Sequence, residues 1–185
     1  MKAAVNQITI QLLETDIFGL TVEGLVVTTD ASLSISDQLR TLAGTKIVGE
    51  LEKFDGCGVG EAVLTEAGDL VNISKVIHTV APRWGEGSER GKLESSIWNC
   101  LVLAETNKLR SIALPPISVG ALGFPVESCA RIMISRIIDY TFEDIKSIKE
   151  IIICLSDKSS FEVFQAEFQN QIWQLGQAGD AKVRV

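Results

Sequence analysis

The run Gly24-Leu25-Val26-Val27-Thr28-Thr29 constrains this chain more than any other stretch, because its first half is apolar at consecutive positions. Successive side chains of a strand point to opposite faces, so a run that is apolar throughout needs cover on both. A strand of that kind belongs to a sheet sandwiched between helices. By contrast, Gln7-Ile8-Thr9-Ile10-Gln11-Leu12-Leu13 alternates polar and apolar residues, as a half-exposed edge strand does.

The remaining segments extend the same plan. Asp37 to Phe54 has helical spacing, and Val59 to Thr65 and Lys75 to Val80 are short β-prone runs that resemble a strand pair, with Asp69-Leu70-Val71-Asn72 between them. Gly91 to Leu109 carries Leu93, Ile97, Leu101 and Ala104 on one helical stripe, and the strand Ser111–Leu114 follows directly. Val126 to Tyr140 reads as a helix with Cys129, Ile132, Met133, Ile137 and Tyr140 as its inner face. The strand Glu150–Leu155 and a helix over Ser159–Leu175 complete the alternation. Repeated helix–strand units predict an α/β domain of three layers, α/β/α, with a central mixed sheet. One domain spans residues 1–175, and residues 176–185, which lose apolar periodicity, read as a loose tail.

Composition narrows the partners. With 185 residues and 46% apolar content the chain can bury a real core. A net charge of −7 and a pI near 4.8 speak against a groove that grips nucleic acid, which needs a clustered basic surface. They leave room for one small anion, because backbone N–H groups supply local positive potential whatever the net charge. The four cysteines are widely spaced with no Cys-x-x-Cys pair. Cys100, Cys129 and Cys154 lie in apolar or helical segments and read as buried free thiols, so neither a metal site nor a disulfide frame is expected. There is no signal-peptide pattern, and no run approaches the eighteen apolar residues of a membrane span. The chain therefore reads as soluble and intracellular, with no membrane partner.

The richest local feature is Leu114-Pro115-Pro116-Ile117-Ser118-Val119-Gly120-Ala121-Leu122-Gly123-Phe124-Pro125, in which an apolar strand runs straight into a glycine-bearing turn. Ser118 to Gly123 exposes backbone N–H groups with little side-chain bulk, and glycine lets the main chain come close to a diphosphate at positive φ. A tight strand-to-helix connection is the plainer alternative. In an open α/β sheet, ligands sit beyond the carboxyl ends of strands. Two other loops are expected there. One holds Asp16 and Ile17, which suit the exocyclic amine and the ring of adenine, although Asp16 also suits a helix cap. The other holds Ser156 and Asp157. His78, the only histidine, sits between Ile77 and Thr79 without a nucleophile nearby in sequence, and reads as a hydrogen-bonded structural residue. Trp98 and Trp173 read as packing anchors, whereas Trp84, beside a glycine-rich turn, suits stacking as well.

Taken in order, Thr15-Asp16-Ile17, Val22-Glu23-Gly24-Leu25-Val26-Val27, Val76-Ile77-His78-Thr79-Val80-Ala81-Pro82-Arg83-Trp84 and Ile112 to Pro125 resemble a macrodomain, the ADP-ribose-binding module, over nearly the whole chain. Asn99 to Ala104 with Lys108 to Ala113 is most similar to the branch found in macro-histone variants. The resemblance implies ADP-ribose or an ADP-ribosylated protein as partner, with chromatin proteins and a nuclear location if the branch holds, and no cofactor. It assigns adenine to Asp16 and Ile17, the diphosphate and distal ribose to Ser118, Val119, Gly120, Ala121, Leu122, Gly123 and Phe124, and the adenosine half to Ser156 and Asp157.

There are also departures. Where macrodomains that hydrolyse ADP-ribose conjugates carry an Asn-Ala-Ala-Asn-like turn and a glycine-rich loop, this chain has Val27-Thr28-Thr29-Asp30 and then Ala31 to Asp37 without a glycine. The expectation is a binder without catalytic residues, weakened by this altered first loop. A scaffold with a vestigial pocket and an ADP-ribosyl hydrolase are the competing readings.

Overall fold

A computed structural model describes residues 1–185. The strands are β1 (Lys2–Val5), β2 (Ile8–Glu14), β3 (Val22–Thr29), β4 (Ala62–Glu66), β5 (Ile73–Val80), β6 (Ser111–Leu114), β7 (Glu150–Leu155) and β8 (Val183–Arg184). The helices are α1 (Asp37–Ala43), α2 (Lys46–Leu51), α3 (Glu89–Thr106), α4 (Val126–Tyr140) and α5 (Lys158–Ala178). All strands join one mixed sheet in the order β4-β5-β3-β6-β7-β2-β1-β8. Neighbours from β5 through β2 are parallel, while β4 on one flank and β1 and β8 on the other are antiparallel.

Both faces of the central strands are covered, as the apolar run of β3 demands. Val26, Ile77, Ile112, Ile151 and Ile153 point into the larger core beneath α3, α4 and α5. Leu25, Val76, Ala113 and Ile152 point into the smaller one beneath α1 and α2. Leu25 and Val26 are both fully buried. Truncating such a side chain to Ala costs about 2–5 kcal/mol, since the close-packed surroundings relax only partly.

Three expectations change. The helix expected over 37–54 is two short helices, because Gly44 ends the first at φ +71, and a Cβ there would stand 2.4 Å from Asp69 Oδ2. The tail expected to be loose carries on α5 to Ala178 and then returns as β8, pairing Ala4 with Arg184 and Val5 with Val183. Asn6 seals that return: its N–H donates to Lys182 O at 2.8 Å, and its Oδ1 accepts from Lys182 N at 3.2 Å. Ile132, expected on the inner face of α4, is only half-buried at the rim. Cys100, Cys129 and Cys154 are buried and Cys57 is half-buried, all of them free thiols.

One turn is closed by a side chain from across the fold. Glu105, near the end of α3, accepts the amides of Lys146 at 2.8 Å, Ser147 at 2.9 Å and Ile148 at 3.0 Å, just before β7. Burial alone would raise its carboxyl, yet these amides hold it below the usual range.

Candidate functional site

Because β3, β6, β7 and β2 are consecutive and parallel, the loops that follow them stand side by side along one edge of the sheet. That brings together, by topology alone, the segments after Thr29, Leu114, Leu155 and Glu14. Two bonds tie the last pair: Thr15 N donates to Leu155 O at 3.0 Å, and Cys154 Sγ donates to Thr15 O at 3.1 Å. Burial pushes the Cys154 thiol up to about 11, so it remains a neutral donor at pH 7.

The second of these loops carries most of the expected site. Ser118 is 2% exposed and takes φ +69, and Gly120 and Gly123 take φ +82 and +75. The loop is held from both ends: Phe124 N donates to Ser118 O at 3.0 Å and Gly123 N to Gly120 O at 2.9 Å. The amides of Val119, Gly120, Ala121 and Leu122 donate to no acceptor within the protein. Ser118 Oγ is buried without a hydrogen-bond partner. A buried hydroxyl without a partner costs about 1–3 kcal/mol, so this loop is polar, shaped and unsatisfied. No side chain would be hindered at Gly120, where a Cβ meets nothing within 4 Å, so its glycine answers to backbone conformation and access alone.

A wall of this loop comes from the segment after β5. Trp84 N donates to Leu122 O at 2.9 Å, Arg83 Nη1 reaches Ala121 O at 3.4 Å, and the Trp84 ring stands edge-on to Phe124 at 4.9 Å. Trp84, which the sequence leaves open for stacking, is 38% exposed and packs against Phe124 in a T-shaped pair. Phe124 is buried under it, 2% exposed, and so supports the loop from behind.

The other expected residues divide. Asp16 is exposed, and its Oδ1 accepts from Phe18 N at 3.1 Å, so it caps the short 3-10 turn Ile17–Gly19. It also borders a groove of about 700 Å³ whose far wall is Gln38, Thr41 and Leu42 of α1 and its end. The residues of the Ser118–Phe124 loop do not line that groove. Ile17 packs half-buried on the smaller core. Ser156 and Asp157 are exposed, and Asp157 caps α5 by accepting Ser160 N at 2.8 Å, a bond that lowers its carboxyl. Both readings of these acids meet in one residue, since a capping carboxylate keeps its second oxygen free.

The feature that sequence reasoning missed lies in the first loop. Asp30 Oδ1 accepts the amides of Ser32 at 2.9 Å and Ser34 at 3.1 Å, while Asp30 O accepts from Leu33 N at 2.9 Å. Thr29 Oγ1 donates to Ser34 O at 2.6 Å, and Cys57 N reaches in to Ala31 O at 3.1 Å. Leu33, at φ +60 and 5% exposed, pins the loop into the core. The spacing Asp-x-Ser-x-Ser was the available signal, since Asp side chains bond amides two residues on. The amide of Ser34 holds the Asp30 carboxyl below its ordinary value.

His78 lies inside the sheet and is fully buried; its Nε2 bonds Thr65 Oγ1 at 2.9 Å and its Nδ1 has no partner. Burial lowers its pKa to about 4, so the imidazole is neutral at pH 7. No three His, Cys, Asp or Glu side chains gather as a metal site.

Comparison with known proteins places this arrangement. The chain is 41% identical over 121 residues to an uncharacterized protein of Saccharolobus solfataricus, spanning 65% of each. It is 36% identical over 141 residues to the O-acetyl-ADP-ribose deacetylase of Salmonella newport, covering 71% of this chain and 78% of that one. Its fold matches the Oceanobacillus iheyensis macrodomain with ADP at a TM-score of 0.87, with 23% identity over 94% of this chain and 97% of the other. A glycine variant of that same macrodomain has been solved with ADPR. These likenesses are archaeal and bacterial, with no special tie to macro-histone variants. The model of the Macro domain matches residues 28–133, more than half of the chain, from the end of β3 through most of α4. The chain belongs to the Macro domain family.

Proposed function

We propose that this macrodomain recognises ADP-ribose, free or carried on a partner protein, and does not turn it over. The observation that carries this reading is the loop after β6, where the Val119–Leu122 amides are unpaired beside a buried, unpartnered Ser118 hydroxyl. Such a turn of outward amides is a ready anion site. The ADP and ADPR named with the similar solved macrodomain support the same ligand class. Recognition without turnover is supported by the state of the candidate acid–base groups. Asp30 is engaged by its own loop, and His78 is sealed in the sheet as a neutral ring. Isothermal titration calorimetry with ADP-ribose tests this: saturable heat supports it, and silence at millimolar ligand overturns it.

A deacetylase reading is favoured by the name of the Salmonella relative. It predicts release of acetate from O-acetyl-ADP-ribose, lost in Asp30→Ala. A scaffold reading is favoured by the glycine-free first loop; it assigns the fold to protein capture, chromatin proteins included, and predicts that Gly120→Glu leaves capture unchanged.

A further inference from the structure

We infer that the site reads its ligand up to the diphosphate and stops there, so that ADP and ADP-ribose bind alike. This rests on the ADP-ribose reading above and narrows it. The inference comes from where the backbone donors are. Along the edge of the sheet, the Asp16 and Ser156 side lies over β2 and β7, the Ser118–Phe124 loop over β6, and the Ala31–Ser34 loop over β3. A ligand laid across these in order, adenosine to diphosphate to distal group, meets free amides at β6 and arrives at β3 last.

At β3 the free amides of the loop shrink to one, that of Ala31, which has no acceptor within the protein. The amides of Ser32 and Ser34 are taken by Asp30 Oδ1, and that of Leu33 by Asp30 O. Ala31 O is taken by Cys57 N, and Ser34 O by the Thr29 hydroxyl. The loop cannot swing open to free them cheaply, because Leu33 is buried and holds a positive φ that only its surroundings maintain. The Asp30 carboxylate thus consumes two amides that would otherwise be free to meet the hydroxyls of a distal sugar. Asp30 is therefore a specificity-determining residue that acts by filling the first loop with the protein's own anion.

Calorimetry on the full chain with ADP-ribose, ADP and AMP tests this. ADP and ADP-ribose within threefold of each other, with AMP at least tenfold weaker, is the expected result. ADP-ribose tenfold tighter than ADP overturns the inference and leaves the binding reading standing, as does AMP that binds as well as ADP. No binding of any of the three overturns the binding reading itself. Asp30→Gly, with its fold checked by circular dichroism, should raise the ADP-ribose preference over ADP at least fivefold; a folded variant with an unchanged preference overturns the role given to Asp30.

Discussion

Two neighbouring loops of similar size answer the same physical problem in opposite ways. Both follow parallel strands, and both place a non-glycine residue at positive φ, Leu33 in one and Ser118 in the other. In the loop after β3 the amides of Ser32, Leu33 and Ser34 close on Asp30. In the loop after β6 the Val119–Leu122 amides close on nothing. The turn before β7 is a third case, closed by Glu105 from α3. An outward turn of amides attracts an anion, and this chain supplies one wherever the turn is structural. The turn it leaves unfilled is the one whose anion must come from outside.

Several changes would break or sharpen that contrast. The largest effect is expected from Gly120→Glu, which sets a carboxylate among the free amides, in space that no neighbour occupies. A like charge near a diphosphate at protein-surface screening costs about 4 kcal/mol, a thousandfold in affinity. Titration calorimetry checks it, and binding kept within tenfold would mean that the loop does not hold the phosphates.

Next comes an acid test of β5, the strand that pairs with β3. His78 is near 4 when folded and 6.5 when unfolded, so the unfolded chain binds the extra proton between those values. Stability should fall as pH drops from 6.5 toward 4, by about 3 kcal/mol at most. Urea midpoints of the wild type and His78→Asn across that range read the difference, which should shrink as pH falls. Parallel profiles would place the acid sensitivity elsewhere.

Smaller effects follow from the two loops themselves. Asp30→Ala removes the acceptor of two amides and should cost about 1 kcal/mol of stability, with ADP affinity unchanged within threefold. Ser118→Ala should do the reverse. Deleting a buried hydroxyl that has no partner should raise stability by about 1 kcal/mol while weakening ADP binding severalfold. If each substitution instead moves both properties equally, the two loops are not separate in function.

Much of the frame was legible in the sequence, for a physical reason. A run such as Leu25-Val26-Val27 has one reading in a soluble sheet, and the ordering of parallel strands then brings their following loops together. The break at Gly44 was not legible, because Leu39, Ala43, Ile47 and Leu51 keep helical spacing across it, while Gly44 itself turns to φ +71. In the sequence Asp30 is the last residue of the altered first turn. Its bonds to Ser32 and Ser34 are local, but that they consume the donors beside the Ser118 loop follows only from strand order. Asp16 and Asp157 read as ligand residues from their loop positions and from the resemblance, and each also does the capping work that its local spacing allows.

The pairing of β8 with β1 bears on how the molecule behaves in a crowd. An open strand edge is a template for another chain, and length is what makes it dangerous. Here the outermost strand on that side has two residues, and its presence covers part of β1, which carries the buried Ala3 and Val5. Removing residues 179–185 would strip that cover and leave a four-residue strand bare beside the exposed Trp173. The shortened chain should self-associate at concentrations where the whole one stays monodisperse by light scattering, so a couplet of residues at the end of the sequence serves as its guard against aggregation.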